Sequence, residues 1–181
     1  MEDNPYAAPR ETSPAPLLSD EVIRHEHLKH EAAVRGAGSL YFLGGILLLF
    51  LAVAMGFTSG GGQQWFLAIA AILLFWIALQ LRKLKPAGRI AAMALSGFAV
   101  VLALGQLLTG MTGSPPLSVA VLVIHGYILL ALSPPKNSFV CSPRYWEIVA
   151  ATPHIKCRTP LVVVILVSLL LFGLVMLLLG F

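Results

Sequence analysis

Residues 38–58 read GSLYFLGGILLLFLAVAMGFT, and this stretch by itself indicates a membrane protein. It contains no Asp, Glu, Lys or Arg. A helix needs about 20 consecutive apolar residues to cross the hydrocarbon core of a bilayer, which is about 30 Å thick. We therefore predict a transmembrane helix over these residues.

Four further apolar blocks follow this stretch along the chain, near residues 64–81, 90–110, 116–133 and 160–180. The whole chain has 181 residues, of which 58% are hydrophobic and only 11% are charged. A soluble domain carries about 25% charged residues, so the composition excludes an ordinary soluble protein. We predict an all-α, polytopic transmembrane bundle of five spans, with four spans in residues 38–133 and the fifth in residues 160–181.

The cations predict how the bundle is oriented. The twelve Lys and Arg residues fall in three groups of four, which precede span one, separate spans two and three, and separate spans four and five. The other two connections carry none. Because positive charge is retained on the cytoplasmic side, the N-terminus should lie inside and the C-terminus outside. The net charge of +4 then reflects contact with lipid headgroups, and we expect no nucleic-acid partner.

The segments outside the spans differ in character. Residues 1–18 are rich in proline and should form a disordered cytoplasmic tail. Residues 19–37 should form a helix that either lies on the membrane surface or runs straight into span one. Residues 134–159 should form a cytoplasmic loop with an interfacial helix, capped by Ser142 and begun by Pro143.

The charges of these segments leave two interpretations open. All eight acidic residues lie on the predicted cytoplasmic side, and seven of them precede span one. They could attract the basic loops, or they could be solvated and ignore those loops at physiological salt.

Small residues are frequent in the third span, from Ala91 to Gly105. Because small residues let helix backbones approach closely in lipid, we predict that this span is the packing centre. The fifth span is almost entirely Leu, Val and Ile, which predicts a position at the edge of the bundle.

Polar residues inside the spans are few. No predicted span has an Asp, Glu, Lys or Arg near its centre, although coupled transporters usually place ionisable residues there. The polar candidates are Gln80, Gln106 and His125. His125 could be a proton-sensitive or ligand-contacting group, or a neutral histidine bonded to a neighbouring helix. These residues support an alternative function as a small oligomeric transporter or channel subunit.

Possible metal ligands occur in two places. His27, His30 and Glu31 share one face of the N-terminal helix by their spacing and could bind a divalent metal, or they could form a solvated face. Cys141 and Cys157 lie in the loop before the last span, where thiols stay reduced, so we expect no disulfide. A metal or redox sensor is a further alternative, and no cofactor is expected.

The loop before the last span carries the most distinctive polar residues of the chain. They are Arg144, Tyr145, Trp146, His154 and Lys156. They could lie at headgroup level against the lipid bilayer, or they could form a docking surface for a cytoplasmic or membrane protein partner. The chain could also form a homo-oligomer.

Catalytic patterns are missing from the sequence: there is no Gly-rich phosphate loop, no Ser/His/Asp arrangement and no pair of carboxylates at membrane depth. We therefore predict a non-enzymatic protein. Our leading hypothesis is a subunit that binds or scaffolds a partner through its cytoplasmic face.

Three stretches resemble known sequences. NPYAAP, from Asn4 to Pro9, resembles the NPYxxP tail that precedes diverse multi-pass bacterial membrane proteins. The stretches from Ile23 to Gly45 and from Phe139 to Thr159, the second containing ATPHIK, resemble parts of a group of uncharacterised bacterial multi-pass membrane proteins. The resemblance implies a bacterial cytoplasmic (inner) membrane and no particular activity.

Overall fold

The structure is a computed structural model that describes residues 19–58, 62–110, 115–160 and 162–168. In these ranges the chain forms helices and no β-strand, which confirms the all-α class. The helices are α1 (Asp20–Thr58), α2 (Gln63–Arg82), α3 (Pro86–Thr109), α4 (Pro115–Leu132), α5 (Pro135–Val140) and α6 (Pro143–Ala151). Residues 162–168 are also helical. The predicted tail at residues 1–18 and most of the predicted fifth span lie outside the described residues.

Three helices, α1, α2 and α3, are long and apolar enough to cross a membrane, and the apolar part of α4 is shorter. Many large apolar side chains on these helices remain exposed, as lipid-facing helices require. They include Ile46, Phe50, Phe66, Ile69, Ile72, Ile90, Phe98, Val101 and Leu130. We refer to this surface as the apolar belt.

Helix α1 is one continuous element that joins two predicted segments. Its 39 residues rise 1.5 Å each, so the helix is about 58 Å long, roughly twice the thickness of a hydrocarbon core. Asp20 and Glu21 in the first turn suit the positive end of the helix dipole. The N-terminal helix therefore runs straight into the first apolar segment, as one of our two interpretations held.

Helix α1, and not α3, is the packing centre. In its most apolar window α1 is 39% buried, whereas the corresponding window of α3 is 17% buried. A Cβ atom on Gly38 of α1 would lie 3.2 Å from the carbonyl oxygen of Ala78, so glycine permits the close approach of α1 and α2. For the described residues the prediction from α3 was wrong, because several of its small residues, including Gly97 and Gly105, have no described neighbour within 4 Å of an added Cβ atom.

The turn between α2 and α3 holds a strained residue. Leu84 has a φ of 55°, in the left-handed region that side chains with a Cβ rarely adopt. It is only 2% exposed, and its carbonyl oxygen accepts a hydrogen bond from Nε1 of Trp146 at 2.9 Å. The contact with α6 therefore helps to hold the turn in this conformation.

Candidate functional site

Polar contacts concentrate at one end of the bundle, which we call the polar end: the N-terminal part of α1 (residues 19–39), the α2–α3 turn, and residues 134–160 with α5 and α6. Helix α6 begins as predicted, with Pro143 in its first turn and the Ser142 hydroxyl accepting from the backbone N–H of Tyr145 at 3.4 Å. Tyr145, Ile148 and Thr152 are buried against α1.

Glu31 is the centre of a buried charged network. Its carboxylate is fully buried and lies 3.4 Å from Nε of Arg24 and 2.8 Å from Nη2 of Arg35. The Tyr145 hydroxyl donates a third contact, at 3.0 Å. A carboxylate is stable away from water only when it is paired and hydrogen-bonded in this way. Two guanidinium groups face one carboxylate, so the network has one excess positive charge.

Arg24 also ties α1 to the end of α6. Its Nη1 donates to the carbonyl oxygen of Thr152 and, at 2.9 Å, to the hydroxyl of the same residue. It also donates to the carbonyl oxygen of Val149 at 3.3 Å. The guanidinium thus caps the C-terminus of α6, where the carbonyl groups have no partner in the helix.

The environment of Tyr145 keeps its hydroxyl protonated. Burial raises its pKa well above the ordinary value, and the negative charge of Glu31 and the hydrogen bond to it raise that pKa further. The phenol therefore remains a donor to Glu31 at any physiological pH.

The predicted metal ligands have separate partners. His27 donates from Nδ1 to the carbonyl oxygen of Ile23 at 2.9 Å, and His30 donates from Nδ1 to Oδ1 of Asn137 at 2.9 Å. Glu31 belongs to the charged network. In the ranges that the structure describes, no three His, Cys, Asp or Glu side chains are placed to hold a metal ion.

The acidic residues of α1 contact the loop before the last predicted span. Glu26 lies 3.0 Å from Lys136, Asp20 lies 3.7 Å from Arg144, and Glu21 lies 3.3 Å from His154. The interpretation that the acidic residues attract the basic loops therefore describes the structure better than the interpretation that they are solvated and ignore those loops. Each exposed pair is worth at most about 1 kcal/mol, so these pairs follow the packing of the loop more than they cause it.

The five residues predicted to bind a partner divide into two groups. Arg144, His154 and Lys156 are exposed. Tyr145 is buried, and Trp146 is partly buried with its N–H bonded to Leu84. Only the first group offers its side chains to a partner, whereas the second builds the surface from beneath.

Both cysteines are free thiols with raised pKa values. Burial raises the pKa of Cys141 to about 11, against a smaller opposing effect of Arg89. Burial, followed by the charge of Glu31, raises the pKa of Cys157. Because the thiolate is the reactive form, neither environment activates its cysteine.

Polar groups within the α1–α4 bundle form one short chain. Nδ1 of His125 lies 3.1 Å from the Ser96 hydroxyl, which lies 2.7 Å from the Tyr41 hydroxyl. Tyr41 in turn donates to the carbonyl oxygen of Ala92 at 2.9 Å. A neutral His125 with a proton on Nδ1 satisfies every group in this chain, because Ser96 can then accept from His125 and donate to Tyr41.

His125 and Tyr41 also line an apolar cavity of about 310 Å³ between α1, α2, α3 and α4. The other polar candidates lie elsewhere. The side chain of Gln106 accepts from Ser118 at 3.3 Å near the far end of the bundle, and Gln80 adjoins the α2–α3 turn. The three predicted residues therefore do not line one path in the described part of a single chain.

Comparison with known proteins gives no match: no family model fits the sequence, and neither a curated protein nor a solved structure is similar to the chain. The function must therefore be argued from the site itself.

The sequence interpretation missed the charged network. The signal was available in part, because Arg35 follows Glu31 by four residues and Arg24 precedes it by seven, which places all three on one helix face. The burial of that face was not visible, since nothing in the sequence showed that α6 would cover it.

Proposed function

We propose that this chain is a non-enzymatic, multi-pass protein of the bacterial cytoplasmic membrane that binds or scaffolds a partner protein through its cytoplasmic face. In this proposal five helices cross the membrane, with the N-terminus inside and the C-terminus outside. The resemblance of its N-terminal and pre-terminal stretches to bacterial membrane proteins supports the location.

The observation that carries the proposal is the Glu31 network. It joins α6, through Tyr145 and Thr152, to the N-terminal part of α1, so α6 belongs to a built surface and not to a loose loop. Binding to a fixed surface avoids much of the entropy cost of ordering a loop. Arg144, His154 and Lys156 are exposed on this surface and would contact the partner.

The proposed orientation is supported by the clustering of cations. Arg24 and Arg35 of the first group contact Glu31, Arg82 of the second packs beside Gly38, and Arg144 of the third pairs with Asp20. Members of all three groups thus lie at one end of the bundle, where the positive-inside rule requires them.

The absence of enzymatic activity is supported by the surroundings of Ser96. In the described ranges the Ser96 hydroxyl lies within hydrogen-bond distance of a histidine, His125. Ser96 is nevertheless fully buried and bonded to Tyr41. A nucleophile needs access to substrate and a base that is free to take its proton.

Site-specific photocrosslinking in intact membranes tests the proposal. A photoreactive residue at position 154 or 156 should give a discrete crosslinked product with one partner. Leu108 of α3, which is 87% exposed far from the polar end, is the matched control position and should give none. If positions 154 and 156 give no product, or the same products as position 108, the proposal is wrong.

A small oligomeric transporter or channel subunit is the second candidate, and the cavity beside His125 and Tyr41 favours it. Proton flux into proteoliposomes, followed with a pH-sensitive dye, tests this alternative. Flux that depends on the wild-type chain and disappears in His125→Phe would support it, and equal flux in empty liposomes would remove it.

A metal or redox sensor is the third alternative. The separate partners of His27, His30 and Glu31 and the raised pKa values of the cysteines do not favour it. Elemental analysis of the purified protein measures bound metal directly.

A further inference from the structure

A second pocket at the polar end is rich in arginine. It has a volume of about 210 Å³ and lies where α1, the end of α2 and residues 157–159 meet. Its charged and hydroxyl groups come from three separate parts of the chain: Arg35 and Ser39, Arg82, and Arg158 and Thr159. The pocket therefore exists only when these segments are packed together.

Pro160 and Val163 pack against α1 beside this pocket, at Gly36. A Cβ atom on Gly36 would lie 2.7 Å from Cγ2 of Val163 and 3.3 Å from Cδ of Pro160. Only glycine allows this approach, and it brings Arg158 and Thr159 alongside α1. The pocket is thus a consequence of a specific helix contact.

Among the residues that the structure describes, no acidic side chain pairs with Arg82 or Arg158 of this pocket. Every acidic residue that the structure describes already lies within 4.0 Å of an arginine, lysine or histidine side chain, and none of these contacts includes Arg82 or Arg158. Arg35 shares its partner, Glu31, with Arg24. Its Nε is buried and has no hydrogen-bond partner among the described residues. The acids of those pairs are Asp20, Glu21, Glu26, Glu31 and Glu147.

The pocket adjoins the apolar belt. The guanidinium of Arg82 lies 5.8 Å from the centre of the Phe42 ring. Phe42 and Ile46 lie about one and two turns after Ser39 on α1, and both are exposed. Trp146 lies beside Arg35 and Arg82 in the neighbouring surface depression. A tryptophan and arginines beside exposed apolar side chains are typical of headgroup level in a membrane.

We propose that this pocket binds the phosphate group of an anionic phospholipid, with the acyl chains lying against the apolar belt. Arginine matches phosphate geometry because its planar group can donate two parallel hydrogen bonds. The hydroxyl of Thr159 provides a further donor, whereas that of Ser39 already donates to the carbonyl oxygen of Arg35 at 3.3 Å. A lipid, and not free phosphate, is the source because Arg82 of this pocket lies over the ring of exposed Phe42, where only a ligand with an apolar tail gains contacts.

Native mass spectrometry of the full chain in neutral detergent, titrated with phosphatidylglycerol, tests this proposal. We expect one retained lipid per chain. The double variant Arg82→Gln/Arg158→Gln should bind at least about tenfold more weakly, because each basic residue at a lipid surface contributes roughly fivefold. The matched control, Lys29→Gln/Lys85→Gln, removes the same charge outside the pocket and should change the affinity by less than about twofold.

Two further titrations distinguish a lipid from free phosphate as the source of the bound phosphate group. Phosphatidylcholine should be retained more weakly than phosphatidylglycerol, and glycerol phosphate should not displace the bound lipid. Equal retention of phosphatidylcholine, displacement by glycerol phosphate, or an equal loss in the lysine control would each overturn the proposal.

A third variant separates binding from folding. If the double variant does not fold, Arg158→Gln alone serves, since Arg158 is exposed and makes no ion pair among the described residues. It should lower the affinity about fivefold with an unchanged melting temperature; an unchanged affinity would overturn the proposal. This site does not depend on partner binding, because Arg144, His154 and Lys156 are not among its lining residues.

Discussion

The polar end and the α1–α4 bundle of the same chain are held together by different forces. The polar end encloses a fully buried carboxylate with two arginines and a tyrosine. The described bundle encloses a short chain of neutral hydroxyl and imidazole groups, a bond from Ser118 to Gln106, and an otherwise apolar cavity. This contrast teaches that the costly, directional contacts lie where residues 134–160 must be fixed to α1, whereas the helices need only close packing.

Glu31→Ala should cause the largest loss of stability. It leaves Arg24 and Arg35 without their shared anion, and an uncompensated buried charge costs about 3–5 kcal/mol. Thermal unfolding in detergent, followed by circular dichroism, should show a large loss of stability. The control Glu26→Ala breaks only an exposed pair with Lys136 and should cost far less stability than Glu31→Ala. Equal losses of stability in the two variants would contradict the claim that the buried network, and not the exposed pairs, holds the polar end together.

Tyr145→Phe should have the next largest effect. It removes one hydrogen bond to a charged group, worth about 1.5–3 kcal/mol. The pKa of Tyr145 is raised in the folded protein, so the contribution of its protonated hydroxyl is complete below the ordinary value of 10.0 and is lost as pH rises above it. The difference in melting temperature between wild type and variant should therefore shrink above pH 10. A difference that grows there would contradict the network.

Gly38→Leu should disturb the contact between α1 and α2 and leave the Glu31 network in place. Its side chain would meet the backbone of α2, where a Cβ alone already lies 3.2 Å from the carbonyl oxygen of Ala78. Overpacking of this kind costs about 1–3 kcal/mol. Gly97→Leu is the matched control, because no atom of the described residues lies within 4 Å of a Cβ at that position. Chemical denaturation of both variants should separate them, and indistinguishable stabilities would show that α1 does not pack as described.

The smallest effect should come from Ser96→Ala. It interrupts the chain from His125 to Tyr41, but hydrogen bonds between membrane helices average only about 0.6 kcal/mol. Tyr41 keeps its bond to the carbonyl oxygen of Ala92. A loss of stability close to that of Glu31→Ala would mean that the bundle also depends on polar contacts.

The sequence predicted most of the described helices, but it did not predict α5 or the contacts between helices. Hydropathy predicted the helices, and Ser142 with Pro143 predicted the start of α6. The packing centre was misjudged, because counting small residues in α3 did not show which of them face another helix. For the site, exposure could not be assigned: Arg144 and Tyr145 are neighbours in the chain, yet one is exposed and the other is buried against Glu31.

Hydrogen exchange of the full chain in detergent, read by mass spectrometry, tests most directly whether the polar end is a built surface. Amides of residues 143–151 should be protected to the same degree as those of residues 24–35, because the Glu31 network joins the two segments. Glu31→Ala should abolish the protection of residues 143–151 and preserve that of α2. Exchange of residues 143–151 at the rate of an unstructured chain in the wild-type protein would contradict the account.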